Sequence, residues 1–448
     1  MPAVIMAGGK GTRLASITKD EVPKPMVKIL GKPLLEWQVE VLKRNGITDV
    51  CFIIGHLGEK IREYFGDGKE FGINAIYIEE TEPLGTAGAF YYLKDKLTSE
   101  PFFLVFGDVF FDIDMNRMMD FHKRHNSEAT LFVHPNSHPF DSDLIETGSG
   151  GRIVKFDSKH NVRDYWYKNC VNAGMYVLNP SVCGQVKSAV RTDFEKEILS
   201  KMIADGCPVF GYRSPEYIKD VGTVGRIADV KRDIESGFIS KRCLKNRQKC
   251  IFLDRDGTIN VYKGLISNID DFELEKNVID AVKKINSSEY LCIAVTNQPV
   301  VARGMCGIED VENIHRKMET LLGKEGAYLD DIYFCPHHPD RGYPEENPAY
   351  KIKCHCRKPD TGMIEEAAKD YNIDLSASWI IGDTTLDIQA GKNAGLKTVL
   401  VHTGVGGKDG KYNAEPDMQA ENLLESIEKI LGADKNGLHT GNQRLYRA

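Results

Sequence analysis

Two aspartates separated by one residue stand at the end of an apolar run in FLDRDGTIN, residues 252–260. Alternation along a strand would direct Asp254 and Asp256 to the same face, where each carboxylate raises the pKa of the other. One carboxylate could then attack a phosphorus atom while the other protonates the leaving oxygen. A calcium-type loop or a turn can carry the same acid pair, so the pair alone leaves both interpretations open.

Three later motifs supply groups that suit phosphate. The strand-like run VTNQ ends in a hydroxyl and two amides at residues 296–298. CRKP, residues 356–359, adds the cations Arg357 and Lys358. A further strand, in IIGDTTLD, ends at Asp383. All four motifs in this order favour phosphoryl chemistry over a turn.

Cysteines and histidines cluster in FCPHHP and KCHCRKP, immediately before those two cations. Three thiolates and one imidazole complete a tetrahedral zinc site with no open position, so such a zinc would be structural and would fix the loop that leads into the cations. Chance clustering and a disulfide are the alternatives, and a reducing cytosol disfavours the disulfide. The candidate ligands are Cys335, Cys354, Cys356 and one of His337, His338 and His355.

A glycine-rich loop, AGGKGTRL at residues 7–14, follows the first predicted strand. Glycines let backbone N–H groups approach phosphate oxygens closely, and Lys10 and Arg13 add positive charge where a triphosphate would lie. The loop matches neither the G-x-G-x-x-G pattern nor Walker A. A tight strand-to-helix turn is the alternative interpretation.

Three further residues suit nucleotidyl transfer. Lys24 lies between two prolines in VPKPM, which stiffen the chain around a cation able to neutralise a phosphate. Asp108 ends the strand in LVFGD, where α/β sheets bind ligands, and Asp220 precedes a glycine turn in YIKDVGT. Two carboxylates on one Mg²⁺ would suit phosphoryl or nucleotidyl transfer, although either acid alone would be a typical cap or turn residue.

The motifs of the first half resemble those of the sugar-1-phosphate nucleotidyltransferases, nearest to the mannose-1-phosphate and heptose-1-phosphate guanylyltransferase branch. The resemblance rests on GGKGTRL, VPKPM, EPLGTAGA, FGD, VNAGMYV and KDVGT, in that order, over roughly residues 1–235. It implies that a sugar 1-phosphate attacks the α-phosphate of a nucleoside triphosphate and releases pyrophosphate. The family commonly has a glutamate that binds sugar hydroxyls in an F-x-E-K motif, whereas FDSK, residues 156–159, has Ser158 at that position.

The same resemblance assigns roles to individual residues of the first half. The nucleotide would be held by Gly8, Gly9, Gly11, Thr12 and Arg13, with Gly85 and Thr86 near the base and sugar. The catalytic cations would be Arg13 and Lys24, the sugar-binding residues Asn172, Gly174 and Lys159, and the Mg²⁺ ligands Asp108 and Asp220.

The second half resembles the haloacid dehalogenase superfamily, nearest to its D-glycero-D-manno-heptose 1,7-bisphosphate phosphatase and histidinol-phosphatase branch. The resemblance implies Asp254 as nucleophile and Asp256 as acid and base, with Mg²⁺ on Asp254, Asp383 and the backbone carbonyl of Asp256. It assigns phosphate or substrate contacts to Thr296, Asn297, Arg357, Lys358 and Tyr262, and it favours His337 as the fourth zinc ligand beside Cys335, Cys354 and Cys356. Two departures are TNQPV in place of TNQSG and Thr384 in place of a lysine.

These motifs require strands that alternate with helices in both halves. We expect strands near 3–7, 49–54, 74–78, 101–107, 129–133, 152–156 and 171–178, and again near 250–254, 291–296, 330–334, 378–382 and 397–402. The fold class is therefore α/β with two Rossmann-like domains. The first is a glycosyltransferase-A-like mixed sheet, and the second is a haloacid dehalogenase-like domain with a zinc loop and no large cap. The predicted limits are 1–237, a linker at 238–249, 250–432, and a tail at 433–448.

Composition limits the class of protein. The 448 residues suggest two to three domains, and a net charge of −7 argues against a broad nucleic-acid surface. We find no apolar run of about 18 residues and no signal-peptide pattern, which predicts a cytoplasmic protein without a membrane partner. The 11 cysteines, mostly scattered singly, suit a reducing compartment. A homo-oligomer is compatible with the sequence.

The leading hypothesis is a bifunctional enzyme of nucleotide-activated heptose synthesis that uses Mg²⁺ in both domains and zinc in the second. The phosphatase would remove the C7 phosphate of a heptose 1,7-bisphosphate, and the first domain would join the 1-phosphate to GMP from GTP. The alternative is a mannose- or glucose-1-phosphate nucleotidyltransferase fused to a histidinol-phosphate-like phosphatase. In a third hypothesis one domain is a non-catalytic module, but both halves contain the acids, cations and glycines that chemistry needs.

Overall fold

The computed structural model describes residues 2–9, 14–97, 100–342 and 345–433, and the chain divides into two compact units. The first unit is Met1–His134, Ser142–His160 and Cys170–Asn246. The second is Pro135–Asp141, Asn161–Asn169 and Arg247–Ala448. Both units alternate strands with helices, which confirms the predicted α/β class. The domain limits drawn from the sequence stay predictions, and residues 434–448 of the predicted tail lie outside the described residues.

The first unit contains thirteen of the described strands and eight short to medium α-helices. The strands are β1 (Ala3–Met6), β2 (Lys28–Ile29), β3 (Lys32–Pro33), β4 (Asp49–Ile54), β5 (Asn74–Glu79), β6 (Phe102–Phe106), β7 (Val109–Asp112), β8 (Ala129–His134), β9 (Leu144–Thr147), β10 (Ile153–Asp157), β11 (Val171–Leu178), β12 (Val209–Arg213) and β13 (Tyr217–Asp220). The helices are α1 (Ala15–Thr18), α2 (Leu34–Arg44), α3 (Gly58–Phe65), α4 (Phe90–Leu93), α5 (Met115–Arg124), α6 (Ser200–Ala204), α7 (Val224–Glu235) and α8 (Phe238–Arg242), with a π-helical turn at Phe194–Leu199 and a 3-10 turn at Lys24–Met26.

A mixed nine-stranded sheet forms the centre of the first unit. Its main path is β10-β9-β11-β6-β1-β4-β5, and β8 joins β11 to β12. The section β6-β1-β4-β5 is parallel and β11 runs antiparallel to β6. Alternate residues of β1 enter different cores, Ala3 and Ile5 on one face and Val4 on the other. Both faces of β1 are therefore covered, which explains its continuous apolar sequence.

Strands β7 and β13 form a separate two-stranded ribbon that was not predicted from the sequence. The two strands are antiparallel, and Val109 lies opposite Asp220. Neither strand was predicted, because a segment of only four residues is too short for a clear strand pattern. The ribbon nevertheless brings the ends of two distant motifs together.

The second unit is a six-stranded parallel sheet in the order β16-β15-β14-β17-β18-β19. Its strands are β14 (Lys249–Leu253), β15 (Tyr290–Asn297), β16 (Asp331–Cys335), β17 (Trp379–Gly382), β18 (Lys397–Val401) and β19 (Met418–Ala420). Its helices are α9 (Val278–Asn286), α10 (Ile308–Lys324), α11 (Gly362–Tyr371) and α12 (Thr385–Ala394), with a further helical segment at 423–433. Between β14 and α9, residues 254–277 contain one 3-10 turn at Ile269–Asp271 rather than a large cap.

Every strand predicted from the sequence is present within one or two residues of its expected bounds. The predicted linker is more ordered than its composition suggests. Residues Phe238–Arg242 form α8, and Ile239 is buried with Tyr217 and Val230. No helix in the described ranges is both long enough and apolar enough to span a bilayer.

The packing of α12 on the second sheet requires a glycine. A Cβ added at Gly391 would lie 2.4 Å from a methyl group of Ile380 and 2.6 Å from that of Thr398. We expect Gly391→Ala to destabilise this unit by about 1–3 kcal/mol through overpacking. Native-state hydrogen exchange of amides in β17 and β18 would measure the change.

Gly432→Ala is the matched control, because a Cβ there meets nothing within 4 Å. It lies in the helical segment 423–433 and should be neutral or slightly stabilising. Equal exchange protection in the Gly391→Ala and Gly432→Ala variants would contradict this account of the packing.

Candidate active sites

The predicted acids of the second unit meet at one edge of its parallel sheet. Strand β14 lies between β15 and β17, so Asp254, Thr296 and Asp383 come from the carboxyl ends of adjacent strands. That edge is where open α/β sheets bind ligands. Carboxylate oxygens of Asp254, Asp383 and Asp387 lie within 4.8 Å of one another, and all three residues are buried. Asp387, one helical turn beyond Asp383, was absent from the predicted site residues.

Lys358 provides the positive charge inside this acid cluster. Its Nζ donates to Oδ1 of Asp254 at 2.7 Å, to Oδ1 of Asp387 at 2.6 Å and to the carbonyl of Val295 at 2.8 Å. Burial alone would lower the pKa of Lys358, but Asp254 and Asp387 outweigh burial and raise it. The lysine is therefore held in its charged form.

Three acids beside one ammonium leave the cluster short of positive charge. Burial first, and then Asp387, raises the pKa of Asp254 to about 7 against the opposing effect of Lys358. Burial and the carboxylates of Asp254 and Asp387 raise the pKa of Asp383 to about 8. Oδ1 of Asp383 is buried and has no hydrogen-bond partner among the described residues. Buried carboxylates with a free acceptor oxygen fit a hard divalent cation such as Mg²⁺.

Close approach of the loops at this edge depends on a glycine. Gly257 has φ +86, and a Cβ there would lie 2.2 Å from Oδ2 of Asp383. Any side chain at this position would push the DRDG turn away from Asp383. The glycine of the motif is thus explained by geometry.

Asp256 is held by side chains that differ from those around Asp254. Arg255, which is fully buried, donates to both carboxylate oxygens of Asp256 at 2.9 and 3.0 Å. Gln298 Nε2 donates to Oδ2 at 2.9 Å and Asn260 Nδ2 to Oδ1 at 3.1 Å. Arg255 also contacts Nε2 of His315 at 3.3 Å. Arg255 was absent from the predicted site residues, although it binds the carboxylate of Asp256, the residue next to it in sequence.

Two of the predicted phosphate-binding residues have structural partners. Thr296 Oγ1 accepts from Nε2 of Gln298 at 2.9 Å. Asn297 makes two hydrogen bonds of 3.0 Å to the backbone of Lys358, one to its carbonyl and one from its N–H. Asn297 therefore positions the lysine, and its contact with substrate stays a prediction. Tyr262 is 48% exposed in the segment after the DRDG turn.

The predicted zinc ligands lie together. Cys335, His337, Cys354 and Cys356 form one group. Sulfur–sulfur distances are 3.2, 3.3 and 3.5 Å, and Nδ1 of His337 lies 3.3 Å from Sγ of Cys356. A tetrahedron of ligands about 2.3 Å from zinc has edges of about 3.8 Å, so the group has the composition of a zinc site with slightly shorter separations. These sulfurs are too far apart for a disulfide, and all 11 cysteines are free.

The competing histidines are used elsewhere. Nδ1 of His338 accepts from the backbone N–H of Asp340 at 3.2 Å, and His355 pairs with Glu365 at 2.9 Å. His337 remains as the imidazole of the group. Its backbone carbonyl also accepts from Arg357 at 3.1 Å, so the cluster holds Arg357 directly. Burial lowers the pKa of that guanidinium.

The predicted Mg²⁺ ligands of the first unit also come together. Asp108 lies between β6 and β7, and its carbonyl accepts from the N–H of Val221 at 2.8 Å, next to Asp220. Lys24 forms an ion pair with Oδ2 of Asp108, and Arg226, which the sequence reading did not identify, forms one with Oδ2 of Asp220. Oδ1 of Asp220 is buried without a hydrogen-bond partner in the described ranges. Asp108 and Asp220, with Oδ1 of Asp220 as a free acceptor, therefore suit the predicted Mg²⁺.

Gly8, at the start of the glycine loop, lies beside a half-buried acid, Glu80, that was not predicted from the sequence. A Cβ at Gly8 would be 2.7 Å from Oε2 of Glu80, which follows β5. Burial raises the pKa of Glu80 to about 7, and its Oε1 is buried without a partner among described residues. No pattern around Glu80 would have indicated this. Gly9 is described and open to solvent, whereas Gly11, Thr12 and Arg13 lie outside the described residues.

The other predicted nucleotide and sugar residues surround the end of β11. Gly85, at φ +75, forms a bridge with Thr192, and Oγ1 of Thr86 accepts from the N–H of Phe194 at 2.7 Å. Gly174, at φ +72, packs against the ring of Phe106. Asn172 donates from Nδ2 to Oε1 of Glu195 at 2.6 Å. Lys159 is exposed, and the structure does not bring it into this group.

Comparison with known proteins matches each unit to an enzyme family. Residues 2–237 match the nucleotidyl transferase family model and residues 355–426 a HAD-hydrolase-like model. The chain is 40% identical over 182 residues to the D-glycero-beta-D-manno-heptose-1,7-bisphosphate 7-phosphatase of Haemophilus ducreyi, covering 40% of this chain and 94% of that protein.

Two further relatives complete the comparison. The chain is 35% identical over 227 residues to the probable mannose-1-phosphate guanylyltransferase 3 of Oryza sativa, covering 50% of this chain and 61% of that protein. A crystal structure of D,D-heptose 1,7-bisphosphate phosphatase from B. bronchiseptica, complexed with magnesium and phosphate, is 31% identical with a TM-score of 0.37, covering 42% of this chain and 99% of that chain.

The cysteine and histidine group predicts tightly bound zinc. We expect the purified full chain to contain zinc by elemental analysis and Cys356→Ser to lose it, because removal of one thiolate opens the tetrahedron. Cys306→Ser is the control, since Cys306 is half-buried and lies outside the group. Undiminished zinc in Cys356→Ser would show that these residues are not its ligands.

Proposed function

Because the chain belongs to the nucleotidyl transferase family over residues 2–237 and to the heptose bisphosphate phosphatases over its second half, we propose that it makes a GDP-activated heptose in two steps. The phosphatase unit removes the C7 phosphate of D-glycero-D-manno-heptose 1,7-bisphosphate. The transferase unit then joins the remaining 1-phosphate to GMP from GTP. The observation that carries the proposal is that acids and a lysine lie together at strand ends in each unit, Asp254, Asp383 and Lys358 in one and Asp108, Asp220 and Lys24 in the other.

In the phosphatase step, an oxygen of Asp254 attacks phosphorus and the bond from phosphorus to O7 breaks. Lys358 stabilises the ionised nucleophile and, with Thr296 and Arg357, the transferring phosphoryl group. Asp256 supplies the proton that the leaving O7 alkoxide takes. It must then accept a proton from the water that attacks the aspartyl phosphate and releases inorganic phosphate.

Arg255, Gln298 and Asn260 hold the side chain of Asp256 in a fixed orientation for both proton transfers. In this role they position the acid and base and do not touch substrate. The two acids of DRDG therefore differ in role because they differ in partner, Lys358 for Asp254 and Arg255 for Asp256.

In the transfer step, an oxygen of the sugar 1-phosphate attacks the α-phosphorus of the nucleotide, and the bond to the bridging oxygen of pyrophosphate breaks. Lys24 neutralises phosphate charge beside Asp108 and Asp220, with Arg13 on the glycine loop as a second cation. Asp108 and Asp220 in one unit, and Asp254 and Asp383 in the other, would hold Mg²⁺, which when bound would neutralise charge on the phosphate oxygens. Zinc in the cysteine and histidine group has a structural role.

Glu80 supports guanine as the base. The Watson–Crick edge of guanine presents two adjacent donors, N1–H and the N2 amino group, which suit a carboxylate; adenine lacks this pair. Oε1 of Glu80 is a buried acceptor without a partner in the described residues, beside the glycine loop. A ligand with two donors would satisfy it. Guanine does not distinguish the two sugars: similarity of the first unit to a probable mannose-1-phosphate guanylyltransferase supports the alternative of a mannose substrate, whereas similarity of the second unit to heptose bisphosphate phosphatases supports heptose.

The two proposed activities should separate by mutation. Asp254→Asn should abolish phosphate release from heptose 1,7-bisphosphate and leave pyrophosphate release from heptose 1-phosphate and GTP near the wild-type rate. Asp108→Asn should do the reverse, with a loss of about 10²-fold or more in pyrophosphate release, because a metal ligand is removed. Phosphate and pyrophosphate are measured separately. Phosphate release that survives in Asp254→Asn, or unchanged pyrophosphate release in Asp108→Asn, would overturn the assignments.

The pKa of Glu80 predicts a pH dependence for GTP. The raised pKa of about 7 means that the carboxylate is ionised above that pH and protonated below it. Since only the ionised form accepts from both guanine donors, the KM for GTP should rise between about pH 8 and about pH 6. Glu80→Gln should raise the KM for GTP by about 10-fold and remove most of this pH dependence.

Glu79→Gln is the control, because Glu79 is exposed and pairs with Arg62. Ionisation of the triphosphate affects all three proteins equally, so the comparison isolates the carboxylate. The same pH profile in wild type and in Glu80→Gln would refute the role of Glu80.

A further inference from the structure

A buried glutamine of α2, Gln38, bridges the turn that carries Asp108. Its Nε2 donates to the carbonyl of Phe106 at 3.0 Å and to the carbonyl of Val109 at 2.6 Å. Phe106 is the last residue of β6 and Val109 is the first of β7, so the two hydrogen bonds span the turn Gly107–Asp108. Buried carbonyls need a donor, and Gln38 supplies one to both ends of this turn from a different element.

The amide of Gln38 can face the turn in only one orientation. Both of its N–H groups are used, and a reversed amide would place Oε1 against two carbonyl oxygens. Oε1 of Gln38 is buried and has no hydrogen-bond partner among the residues that the structure describes. A buried acceptor without a donor destabilises a fold. Stability alone therefore does not explain a glutamine at a position that is 1% exposed.

The turn itself is restrained at each of its other backbone groups. The N–H of Gly107 donates to the carbonyl of Met6 at 2.9 Å, and the carbonyl of Asp108 accepts from Val221. A Cβ at Gly107 would lie 2.9 Å from the carbonyl of Met6 and 3.1 Å from Cγ of Pro25. The backbone on both sides of Asp108 is therefore fixed, which limits the directions in which its carboxylate can point.

Helix α2 also holds the basic partner of Asp108. The N–H of Leu34, the first residue of α2, donates at 3.0 Å to the carbonyl of Val27, which follows the 3-10 turn that contains Lys24. Gln38 lies about one helical turn after Leu34. One helix thus restrains both members of the ion pair between Lys24 and Asp108.

We propose that Gln38 is a positioning residue for the Mg²⁺ site of the transferase unit. By holding the carbonyls of Phe106 and Val109, it directs the carboxylate of Asp108 towards the cation. Gln38 acts through Asp108 and touches neither nucleotide nor sugar. This inference rests on the proposed nucleotidyl transfer, in which Asp108 is a ligand of Mg²⁺.

Gln38→Met in the full chain keeps the size of the side chain and removes both donors. Calorimetry with GTP and no sugar 1-phosphate measures binding without turnover. In the presence of Mg²⁺ the variant should bind GTP about 10-fold more weakly than wild type, and without a divalent cation both should bind equally. The Mg²⁺ concentration for half-maximal pyrophosphate release should rise by a similar factor, with the KM for the sugar 1-phosphate unchanged.

Asn45→Leu is the matched control. Asn45 is a buried amide directly after α2, and its Nδ2 donates to the carbonyls of Val41 at 2.8 Å and Ile113 at 3.2 Å, away from the turn of Asp108. This variant loosens the same helix and should keep the Mg²⁺ dependence of wild type. Phosphate release from heptose 1,7-bisphosphate by the other unit checks that each preparation is folded.

Equal Mg²⁺ dependence of GTP binding in wild type and Gln38→Met, or the same change in Asn45→Leu, would overturn the inference. Hydrogen exchange of wild type decides the question if Gln38→Met fails to fold. The amides of Gly107 and Val221 should be protected before Mg²⁺ and GTP are added, and free exchange until they are added would contradict a turn held by Gln38. Wild type that binds GTP with Mg²⁺ but releases no pyrophosphate would instead refute the proposed transfer, and the binding comparison would still test Gln38.

Discussion

One ammonium group among three buried carboxylates is the constraint on which the second unit depends. Nζ of Lys358 contacts Asp254 and Asp387 from the loop that follows the cysteine and histidine group. A lysine buried in this way is stable only because its partners outweigh desolvation, and it serves chemistry only if its backbone cannot move. Asn297 holds that backbone through two hydrogen bonds, and the carbonyl of His337 in the cysteine and histidine group accepts from the neighbouring Arg357. Zinc in this group would therefore restrain the loop that carries both cations.

The first unit solves the same electrostatic problem by different means. Asp108 and Asp220 are brought together by a short strand pair, and each has a basic partner, Lys24 and Arg226. The loop that carries Lys24 is stiffened by a proline on each side of the lysine, whereas the loop that carries Lys358 follows the cysteine and histidine group. In both units the acids lie at the ends of strands, where the backbone is fixed by neighbouring strands. Acids held in this way lower the reorganisation that charge development in a transition state would otherwise require.

Strand positions and motif residues could be predicted from the sequence because apolar runs and glycine turns are local signals. The grouping of Asp254 with Asp383, and of three cysteines with His337, agrees with the sequence prediction, and parallel strands place their ends at one edge. Arg255 and Glu80 could not be predicted, because their contacts with Gln298 and Gly8 are made across the fold. The guanidinium of Arg255 binds the carboxylate of Asp256, and this contact has no sequence pattern of its own. Glu80 is a candidate site residue only because Gly8 lies close to its carboxylate. Lone acids and arginines have no sequence pattern that distinguishes them from surface charge.

The central claim is that one chain removes one phosphate from a substrate and uses the other. The most direct test follows heptose 1,7-bisphosphate, GTP and Mg²⁺ with the wild-type chain by phosphorus NMR. The account predicts that the C7 monoester signal disappears first, that the C1 signal persists, and that it is then replaced by the paired signals of a sugar nucleoside diphosphate. Loss of the C1 phosphate first, or accumulation of heptose 1-phosphate without any diphosphate product, would contradict it.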